Sequence, residues 1–393
     1  MSWPIVKLED VVLQQKGSLV SGPFGSNISA KYFVDEGIPV IRGNNLTKGG
    51  QKFIDDGFAY LTEQKASEFS NCIAIKGDII FTAAGSIGQV GIIPEESKYP
   101  KYVISNKQLR ARIDRKKADP LFLYYWLSSR QMIRWLEGMN NGGAVPLLNL
   151  GIVRKVPVPL PTLEKQQRIA SIITAYDNLI ENNRRRIQLL EQAARLLYKE
   201  WFVHLRFPGH EHVNIKDGVP EGWEKKTYAD LFQFLGGFAF KSKTYLTDGR
   251  YGVVTIKNVH DARFVPECPS RLDAPPEKMK EHCLLKTGDI LLSLTGNVGR
   301  ACIVYGADYL LNQRVAKVVG KPGIPVSFVY WTFSNDMTQK ELENLAYGVA
   351  QLNLSPVKLG EREFIEPPRM ILDLFADTAQ PIFSQICTLN LQN

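Results

Sequence analysis

The sequence lacks the features that mark secreted, membrane-spanning and zinc-binding proteins. Among 393 residues there are only five cysteines, an odd number that never forms a C-x-x-C motif. The longest apolar runs, such as residues 77–84, are far shorter than the roughly 18 residues that a membrane helix needs. The start, MSWPIVKLED, has no charged segment followed by an apolar one, as an export signal would. We therefore expect a soluble protein of the reducing cytoplasm, without disulfides or a membrane span.

Motifs of catalysis are also missing. The histidine pair around Glu211 (His210 and His212) has i, i+2 spacing, which does not suit zinc ligands on a helix, and no third ligand is evident. The glycine segments GSIG and GNVG lack the Lys and the Ser or Thr of a phosphate-binding loop. The methyltransferase tetrad N-P-P-[FY] is absent as well. We predict no catalytic residue and no metal site.

Composition favours a folded chain of at least two domains with an anionic partner. Apolar residues make up 44% and charged residues 22% of the chain, which excludes a disordered protein. A length of 393 residues exceeds a typical domain of about 150 residues more than twofold. Lys and Arg exceed Asp and Glu by 48 to 40, a net charge of +8 that suits a polyanion.

An internal repeat organises the chain. The segment GDIIFTAAGSIG (residues 77–88) is matched by GDILLSLTGNVG (residues 288–299). Four further pairs follow the same order and identify a tandem duplication whose halves begin near Trp3 and Trp223. These pairs are IPVIRGNN (38–45) with YGVVTIKN (251–258), SNKQL (105–109) with LNQRV (311–315), PLFLYYWLSSRQM (120–132) with PVSFVYWTFSNDM (325–337), and AVPLLNL (144–150) with GVAQLNL (348–354).

Each half is predicted to be a mixed α/β domain followed by a helix. β-branched runs separated by Gly and Pro indicate short strands, and the segment after Asp119 indicates a helix that Asp119 caps and Pro120 begins. The predicted fold class is α+β: two globular α/β domains separated by an antiparallel pair of long helices, related as a tandem repeat by an approximate two-fold. The predicted boundaries are 1–162 for the first domain, 163–202 for the spacer helix, 203–222 for a linker, 223–368 for the second domain and 369–393 for a short second spacer helix.

The helix pairing follows from a heptad pattern. Residues 163–202 contain neither Gly nor Pro, and apolar residues recur there at steps of three and four, interrupted by a polar residue of the kind that fixes register. The C-terminal helix repeats the spacing. Residues predicted to pair are Ile169, Ile173, Tyr176, Ile180, Asn183, Phe375, Ala379, Ile382, Ile386 and Leu389.

Two basic domains on a stiff spacer suit two DNA half-sites, because the length of a rigid helix fixes the separation of the groups at its ends. The chain resembles the specificity subunit of type I restriction-modification enzymes. The resemblance spans the chain and is carried by the domain–helix–domain–helix order, the paired G-D-I-x-x-[ST]-x-x-G-x-x-G segments, and the stretches AARLLYKEWFVHLRFPGHE (193–211) and VPEGWE (219–224).

The resemblance implies a non-catalytic subunit that recognises a bipartite sequence in double-stranded DNA. It implies assembly with two methyltransferase subunits, and with restriction subunits in the full complex. It also implies that the chain carries no cofactor, while S-adenosylmethionine, ATP and Mg²⁺ belong to the partner subunits.

Candidate DNA-binding residues lie in the loops of both halves. Arg can bind guanine and Asn or Gln can bind adenine through paired hydrogen bonds, and small residues in Gly-rich loops allow close approach to a groove. Capping of a strand end or a turn is the structural alternative for each of them. The candidates are Ser21, Phe24, Ser26, Arg42, Asn44, Ser86, Gln108, Arg110, Phe240, Lys241, Ser242, Lys257, Asn258, Asn297, Gln313 and Arg314.

Two other functions fit the residues less well and remain alternatives. One is a DNA methyltransferase or nuclease with an unrecognised active site. The other is a protein-interaction scaffold that reads no DNA sequence.

Overall fold

A computed structural model describes residues 3–48, 50–139, 147–346 and 352–393. The chain divides into two compact units, Met1–Asp177 (unit 1) and Asn178–Asn393 (unit 2), and each is described by itself. Parts of the last sequence pair, residues 144–146 and 348–351, lie outside the described residues.

The described residues of unit 1 form two four-stranded sheets and one two-stranded sheet. One large sheet is antiparallel with the order β2-β9-β6-β7, the other has the order β4-β3-β8-β5 with β3 and β8 parallel, and β1 pairs with β10. The strands are β1 (Ile5–Lys7), β2 (Leu19–Ser21), β3 (Ile38–Ile41), β4 (Ala59–Leu61), β5 (Ile73–Ala74), β6 (Ile79–Thr82), β7 (Val90–Ile92), β8 (Tyr102–Ile104), β9 (Gln108–Ala111) and β10 (Pro157–Pro159).

Helices cover the antiparallel sheet of unit 1. The helix predicted after Asp119 is confirmed, because the Asp119 carboxylate accepts the Phe122 N–H at 2.8 Å and Pro120 occupies the first turn. Its apolar side joins the core formed with strands β6, β7 and β9. The helices are α1 (Leu8–Val11), α2 (Glu63–Ser67), α3 (Pro120–Leu127), α4 (Arg130–Gly138), α5 (Leu150–Arg154) and α6 (Leu163–Tyr198).

Unit 2 repeats the topology of unit 1. Its antiparallel sheet has the order β14-β23-β20-β21, its mixed sheet has the order β18-β15-β22-β19 with β15 and β22 parallel, and β13 pairs with β24. Two short hairpins, β11-β12 and β16-β17, complete it. The strands are β11 (Ile215–Lys216), β12 (Val219–Pro220), β13 (Glu224–Thr227), β14 (Phe232–Gly236), β15 (Tyr251–Val254), β16 (Val259–His260), β17 (Arg263–Phe264), β18 (Arg271–Leu272), β19 (Leu284–Leu285), β20 (Ile290–Ser293), β21 (Ala301–Ile303), β22 (Tyr309–Leu311), β23 (Val315–Gly320) and β24 (Glu363–Glu366).

Helices α7 to α11 belong to unit 2. They are α7 (Tyr228–Leu231), α8 (Val326–Phe333), α9 (Asp336–Leu345), α10 (Pro356–Gly360) and α11 (Arg369–Leu391). The mixed α/β class, the two tandem units and the long helix predicted from residue 163 are thus confirmed.

Within unit 2, α11 packs beside the last turns of α6 in opposite directions. The rings of Tyr198 and Phe375 lie 6.1 Å apart. Tyr330, whose hydroxyl donates to Glu191, has its ring 5.8 Å from that of Phe383, so residue numbers rise along α11 as they fall along α6. Phe375, Ala379 and other α11 residues are buried there. This is the antiparallel arrangement that the heptad pattern predicts, as far as unit 2 extends.

The ten predicted pairing residues fall into four groups. Phe375, Ala379, Ile386, Leu389 and Asn183 are buried, and Ile173, Ile180 and Ile382 are half-buried. Ile169 packs on the core of unit 1. Tyr176 is 65% exposed, because the buried side of α6 at this level carries Asp177, whose carboxylate accepts the Tyr125 hydroxyl at 2.8 Å.

A buried carboxyl group joins α6 to α8 inside unit 2. The Tyr330 hydroxyl donates to Glu191 Oε1 at 2.7 Å, and Arg195 Nε lies 3.9 Å from the other carboxylate oxygen. Burial raises the pKa of Glu191 from its ordinary value of 4.5 to about 7. Tyr125 and Tyr330 occupy corresponding positions in the repeated helices α3 and α8. In each unit this tyrosine donates a hydrogen bond to a carboxyl group of α6, Asp177 in unit 1 and Glu191 in unit 2.

The raised pKa predicts that unit 2 becomes less stable as the pH rises. Between pH 4.5 and 7 the folded chain binds more protons at Glu191 than the unfolded chain, so the free energy of unfolding falls through this window, by at most about 3 kcal/mol. Glu191→Gln mimics the protonated form. In urea unfolding, this variant should match the wild type at pH 5 and exceed its stability at pH 8.

The exposed residue Glu181, also on α6, supplies the control, because Glu181→Gln should change stability equally at both pH values. A Glu191→Gln variant whose difference from the wild type is the same at pH 5 and pH 8 would contradict the assignment.

Candidate nucleic-acid interface

The candidate interface of unit 1 is formed where three strands end at one edge. Strands β3 and β8 are parallel, so the loops that follow them lie side by side, and the Ser105 N–H donates to the Ile41 carbonyl at 2.9 Å. The loop after β6 is bound to the same region, since the Ala83 N–H donates to the Lys107 carbonyl at 2.7 Å. The pairing of these strands thus brings together three loops that are far apart in the chain.

These loops enclose a polar cleft of about 520 Å³. Four predicted residues line it: Arg42, Asn44, Ser86 and, in its wall, Gln108. Polar residues that were not predicted as DNA contacts also line it, among them Gln89, Asn106 and Lys107. Asn106 and Lys107 are both exposed. The lining offers hydrogen-bond donors, acceptors and positive charge, which are the groups that DNA bases and phosphates bind.

Arg42 is held in place but keeps free donors. Its Nη2 donates to the Gly57 carbonyl at 3.1 Å, and Asn44 Nδ2 approaches the same carbonyl at 3.3 Å. The Arg42 backbone N–H donates to Asn45 Oδ1 at 2.9 Å. A guanidinium group has five N–H donors, so it retains enough of them to bind a guanine or a phosphate.

The repeated glycine segment forms a turn at the mouth of the cleft. Gly85 and Gly88 have φ values of 90° and 92°, and Gly296 and Gly299 in unit 2 have 74° and 82°. These left-handed conformations explain why both copies keep glycine at these positions. Between the glycines, the side chains of Ser86 and Asn297 are exposed at corresponding places.

The structure places three predicted DNA contacts inside the protein. Gln108 is 0% exposed and accepts the Ser105 hydroxyl. Arg110 is 2% exposed, lies 3.7 Å from Asp78, and donates to the carbonyls of Gly17 and Ile73. Burial lowers the pKa of this guanidinium, and Asp78 opposes that effect. Residues this deep in the sheet cannot reach a base, so Gln108 and Arg110 are scaffold residues.

The third correction concerns Asn258, which is 2% exposed. Its Oδ1 accepts the Thr255 N–H at 2.9 Å and its Nδ2 donates to the Val265 carbonyl at 2.8 Å. Asn45 does the same in unit 1, where its Oδ1 binds the Arg42 N–H and its Nδ2 donates to the Ile54 carbonyl at 3.0 Å. Both asparagines close a loop in the framework, so Asn258 is not a DNA contact.

Exposed residues of unit 2 occupy the places of the cleft residues of unit 1. The Asn312 N–H donates to the Val254 carbonyl at 3.0 Å, as Ser105 does to Ile41, so Gln313 and Arg314 correspond to Asn106 and Lys107. This register differs by one residue from the predicted pairing of SNKQL with LNQRV. Because Asn258 corresponds to Asn45, the exposed Lys257 corresponds to Asn44. Each pair differs in residue type between the two units.

The Gly-rich loops near the start of each unit differ more. Ser21, Phe24 and Ser26 are exposed in unit 1, as are Lys241 and Ser242 in unit 2. Phe240 is half-buried, with its ring 5.1 Å from that of Phe238.

No metal centre emerges in the part of the chain that the structure describes. Within it, no three residues among His, Cys, Asp and Glu come together as ligands. His210 Nδ1 lies 3.2 Å from its neighbour Glu211 in an exposed turn. No helix in the described ranges is long and apolar enough to cross a membrane.

Comparison with known proteins decides the family. A model of the family described as "Type I restriction modification DNA specificity domain" matches residues 2–192 and 220–369. The chain belongs to this family. Its role is that of a specificity subunit, the DNA-recognition member of a type I restriction-modification system, and not of an enzyme in its own right.

Related proteins carry the same description. The type I restriction enzyme MjaIX specificity subunit of Methanocaldococcus jannaschii is 26% identical over 98% of this chain and 87% of its own length. The HindI specificity subunit of Haemophilus influenzae is 22% identical over 81% of this chain and 83% of its own length.

The fold has a solved counterpart. The S subunit of a type I restriction-modification system from M. genitalium matches with a TM-score of 0.59 at 14% identity, over 100% of this chain and 94% of that one. At this identity the likeness shows the fold alone.

Proposed function

We propose that this specificity subunit recognises a bipartite sequence in double-stranded DNA, with one half-site read by each unit. The observation that carries the proposal is the pair of matching loop sets, in which the buried asparagines Asn45 and Asn258 have the same role and the exposed residues differ. In unit 1 the exposed set includes Asn44, Asn106 and Lys107, and in unit 2 it includes Lys257 and Arg314. Two similar frameworks with different polar surfaces should read two different sequences.

Footprinting of the complex reconstituted with its methyltransferase subunits tests this function. We expect protection of two short segments separated by unprotected base pairs. A protein scaffold without sequence recognition would protect no defined segment. A hidden enzyme is tested with the purified chain alone, which should transfer no label from S-adenosylmethionine to DNA.

We also propose that helix α6 sets the gap between the two half-sites. The helix is continuous from Leu163 to Tyr198; Asp177 accepts a hydrogen bond from Tyr125 in unit 1, and Glu191 accepts one from Tyr330 in unit 2. A helix rises about 1.5 Å per residue, so its length converts directly into distance along the DNA axis.

Two exposed apolar stripes on α6 support docking of two methyltransferase subunits. In unit 1, Ile172 and Tyr176 are 52% and 65% exposed and lie one turn apart. In unit 2, Leu189 and Leu196 are 56% and 62% exposed and lie two turns apart on one face. Exposed apolar surface of this kind marks interaction sites. We assign one methyltransferase subunit to each stripe.

Replacing both leucines of the unit 2 stripe should prevent assembly without unfolding the chain. In the double variant Leu189→Ser, Leu196→Ser, each change removes the burial of a leucine side chain at the interface, so methyltransferase affinity should fall by about 100-fold or more. Analytical ultracentrifugation of the coexpressed subunits would measure this loss.

Val357→Ser provides a matched control, because Val357 is 70% exposed on α10, away from the stripe. Unchanged assembly of the double-leucine variant would refute the docking site.

Cofactors and restriction subunits complete the proposal. We propose that the chain itself holds no cofactor and that S-adenosylmethionine, ATP and Mg²⁺ bind to partner subunits, with restriction subunits joining for cleavage. The five cysteines are free thiols in the structure, which suits action in the cytoplasm.

A further inference from the structure

Phe24 is the most exposed of the large apolar side chains of unit 1 that the structure describes. Its ring is 85% exposed, although it lies in a loop that is firmly attached to the cleft. Exposure of a phenylalanine ring to water is unfavourable. A ring that is fixed in an exposed position beside a polar cleft therefore indicates a binding role.

The loop around Phe24 is built to present its side chain. Gly22 lies so close to the Ser105 carbonyl that a Cβ atom would come within 1.8 Å of that oxygen, so only glycine fits. After Phe24, Gly25 lies against the side-chain amide of Asn106, and the buried Ile28 anchors the turn. The Asn27 N–H donates to the Phe24 carbonyl at 2.8 Å, which fixes the backbone at Phe24 itself.

The backbone of Phe24 lies next to a residue of the cleft. Asn106, which Gly25 contacts, lines the cleft together with Arg42 and Lys107. A DNA duplex bound to these groups would therefore meet the Phe24 ring at its edge. Phenylalanine is one of the residues that proteins insert between base pairs, where the ring replaces a base as a stacking partner and kinks the duplex.

In unit 2, the loop that matches the Phe24 loop has no such exposed ring at the corresponding position. Gly237 lies against the Asn312 carbonyl as Gly22 lies against Ser105, so Ala239 takes the place of Phe24. The nearby Phe240 is packed on Phe238 and is only half-buried, with no comparable exposure. Any insertion would thus affect only one half-site.

We propose that Phe24 is a wedge residue that inserts between two base pairs of the half-site read by unit 1, unstacking that step. The inference rests on the proposed DNA-reading function and deepens it. It assigns to unit 1 a distortion of the DNA that unit 2 does not make.

The test uses the complex reconstituted with its methyltransferase subunits and duplexes in which 2-aminopurine replaces one base at a time. The fluorescence of this base rises when it is unstacked. Wild type should raise the fluorescence at one step of the unit 1 half-site. Phe24→Ala should abolish this signal and weaken binding by about tenfold, in line with the loss of one stacked aromatic. Phe24→Trp should retain both.

Internal controls separate the wedge from the function on which it depends. The base that the methyltransferase extrudes gives its own fluorescence rise, which Phe24→Ala should leave in place. Val357→Ala, a change at another exposed apolar residue, should alter nothing.

Two outcomes would overturn the wedge. A Phe24→Ala complex with wild-type fluorescence at every position would show that the ring does not insert. A Phe24→Ala subunit that no longer binds the methyltransferase would assign the ring to a protein contact. If the wild-type complex bound no defined sequence at all, the proposed function itself would have failed.

Discussion

Removing two polar side chains from the cleft of unit 1 should abolish recognition of one half-site and leave the other unchanged. In the double variant Arg42→Ala, Lys107→Ala, the guanidinium that can bind a base and an exposed ammonium are both lost. A bidentate Arg contact contributes about 1–3 kcal/mol, so we expect affinity for the specific duplex to fall by about 100-fold. Electrophoretic mobility shifts of the reconstituted complex would measure it.

The matching variant in unit 2, Gln313→Ala with Arg314→Ala, is its reciprocal control. Mutating base pairs of the half-site read by unit 1 should weaken binding of the unit 2 variant further but should have little effect on the unit 1 variant. Mutating the half-site read by unit 2 should weaken the unit 1 variant and have little effect on the unit 2 variant. The loss of Lys107 should also reduce the salt dependence of binding. If both variants lost recognition of the same half-site, the assignment of one half-site to each unit would be wrong.

Lengthening helix α6 should lengthen the gap in the recognised sequence. Four residues inserted between Asp177 and Asn183 add about 6 Å to the helix, which corresponds to nearly two base-pair steps of 3.4 Å. The two half-sites themselves should be unchanged, because the insertion touches neither cleft. Sequencing of methylated bases in cells that express the variant with its methyltransferase subunits would reveal the new gap.

A same-length control replaces the exposed residues Asn178, Glu181 and Asn182 by alanine and should keep the original gap. If the insertion variant methylated the original sequence with its original gap, the spacer role of α6 would be excluded.

The framework could be predicted from sequence because it is repeated. The five paired segments locate the strands and turns, and the glycines at positions 85 and 296 recur because both turns need a left-handed residue. The cap at Asp119 follows from local hydrogen bonding alone. Such features depend on residues that are close together in the chain, so they can be recognised in a single sequence.

The candidate site was less predictable, because burial depends on tertiary packing. Gln108 and Arg110 belong to β9, and all four residues of that strand are buried, so neither side of it offers a polar surface. Lys107, one residue earlier, is exposed and was missed. The repeat did contain the signal: Asn45 and Asn258 are identical because both close a framework loop, whereas the exposed Asn44 and Lys257 differ.

Tertiary packing also explains why one pairing residue of helix α6 was predicted wrongly. Apolar periodicity predicted Tyr176 as a pairing residue, yet the buried side of α6 at that level is occupied by Asp177, which the Tyr125 hydroxyl binds. A polar residue on the buried side cannot be recognised without knowing its partner on α3.

The most direct test of a two-part DNA recognition subunit is to map methylated bases across the genome of a host that expresses this chain with its methyltransferase subunits. We expect methylation at one motif, composed of two defined segments separated by a fixed number of undefined base pairs, and its disappearance when the chain is omitted. Methylation that is unaffected by omission of the chain, or a single uninterrupted motif, would contradict the account.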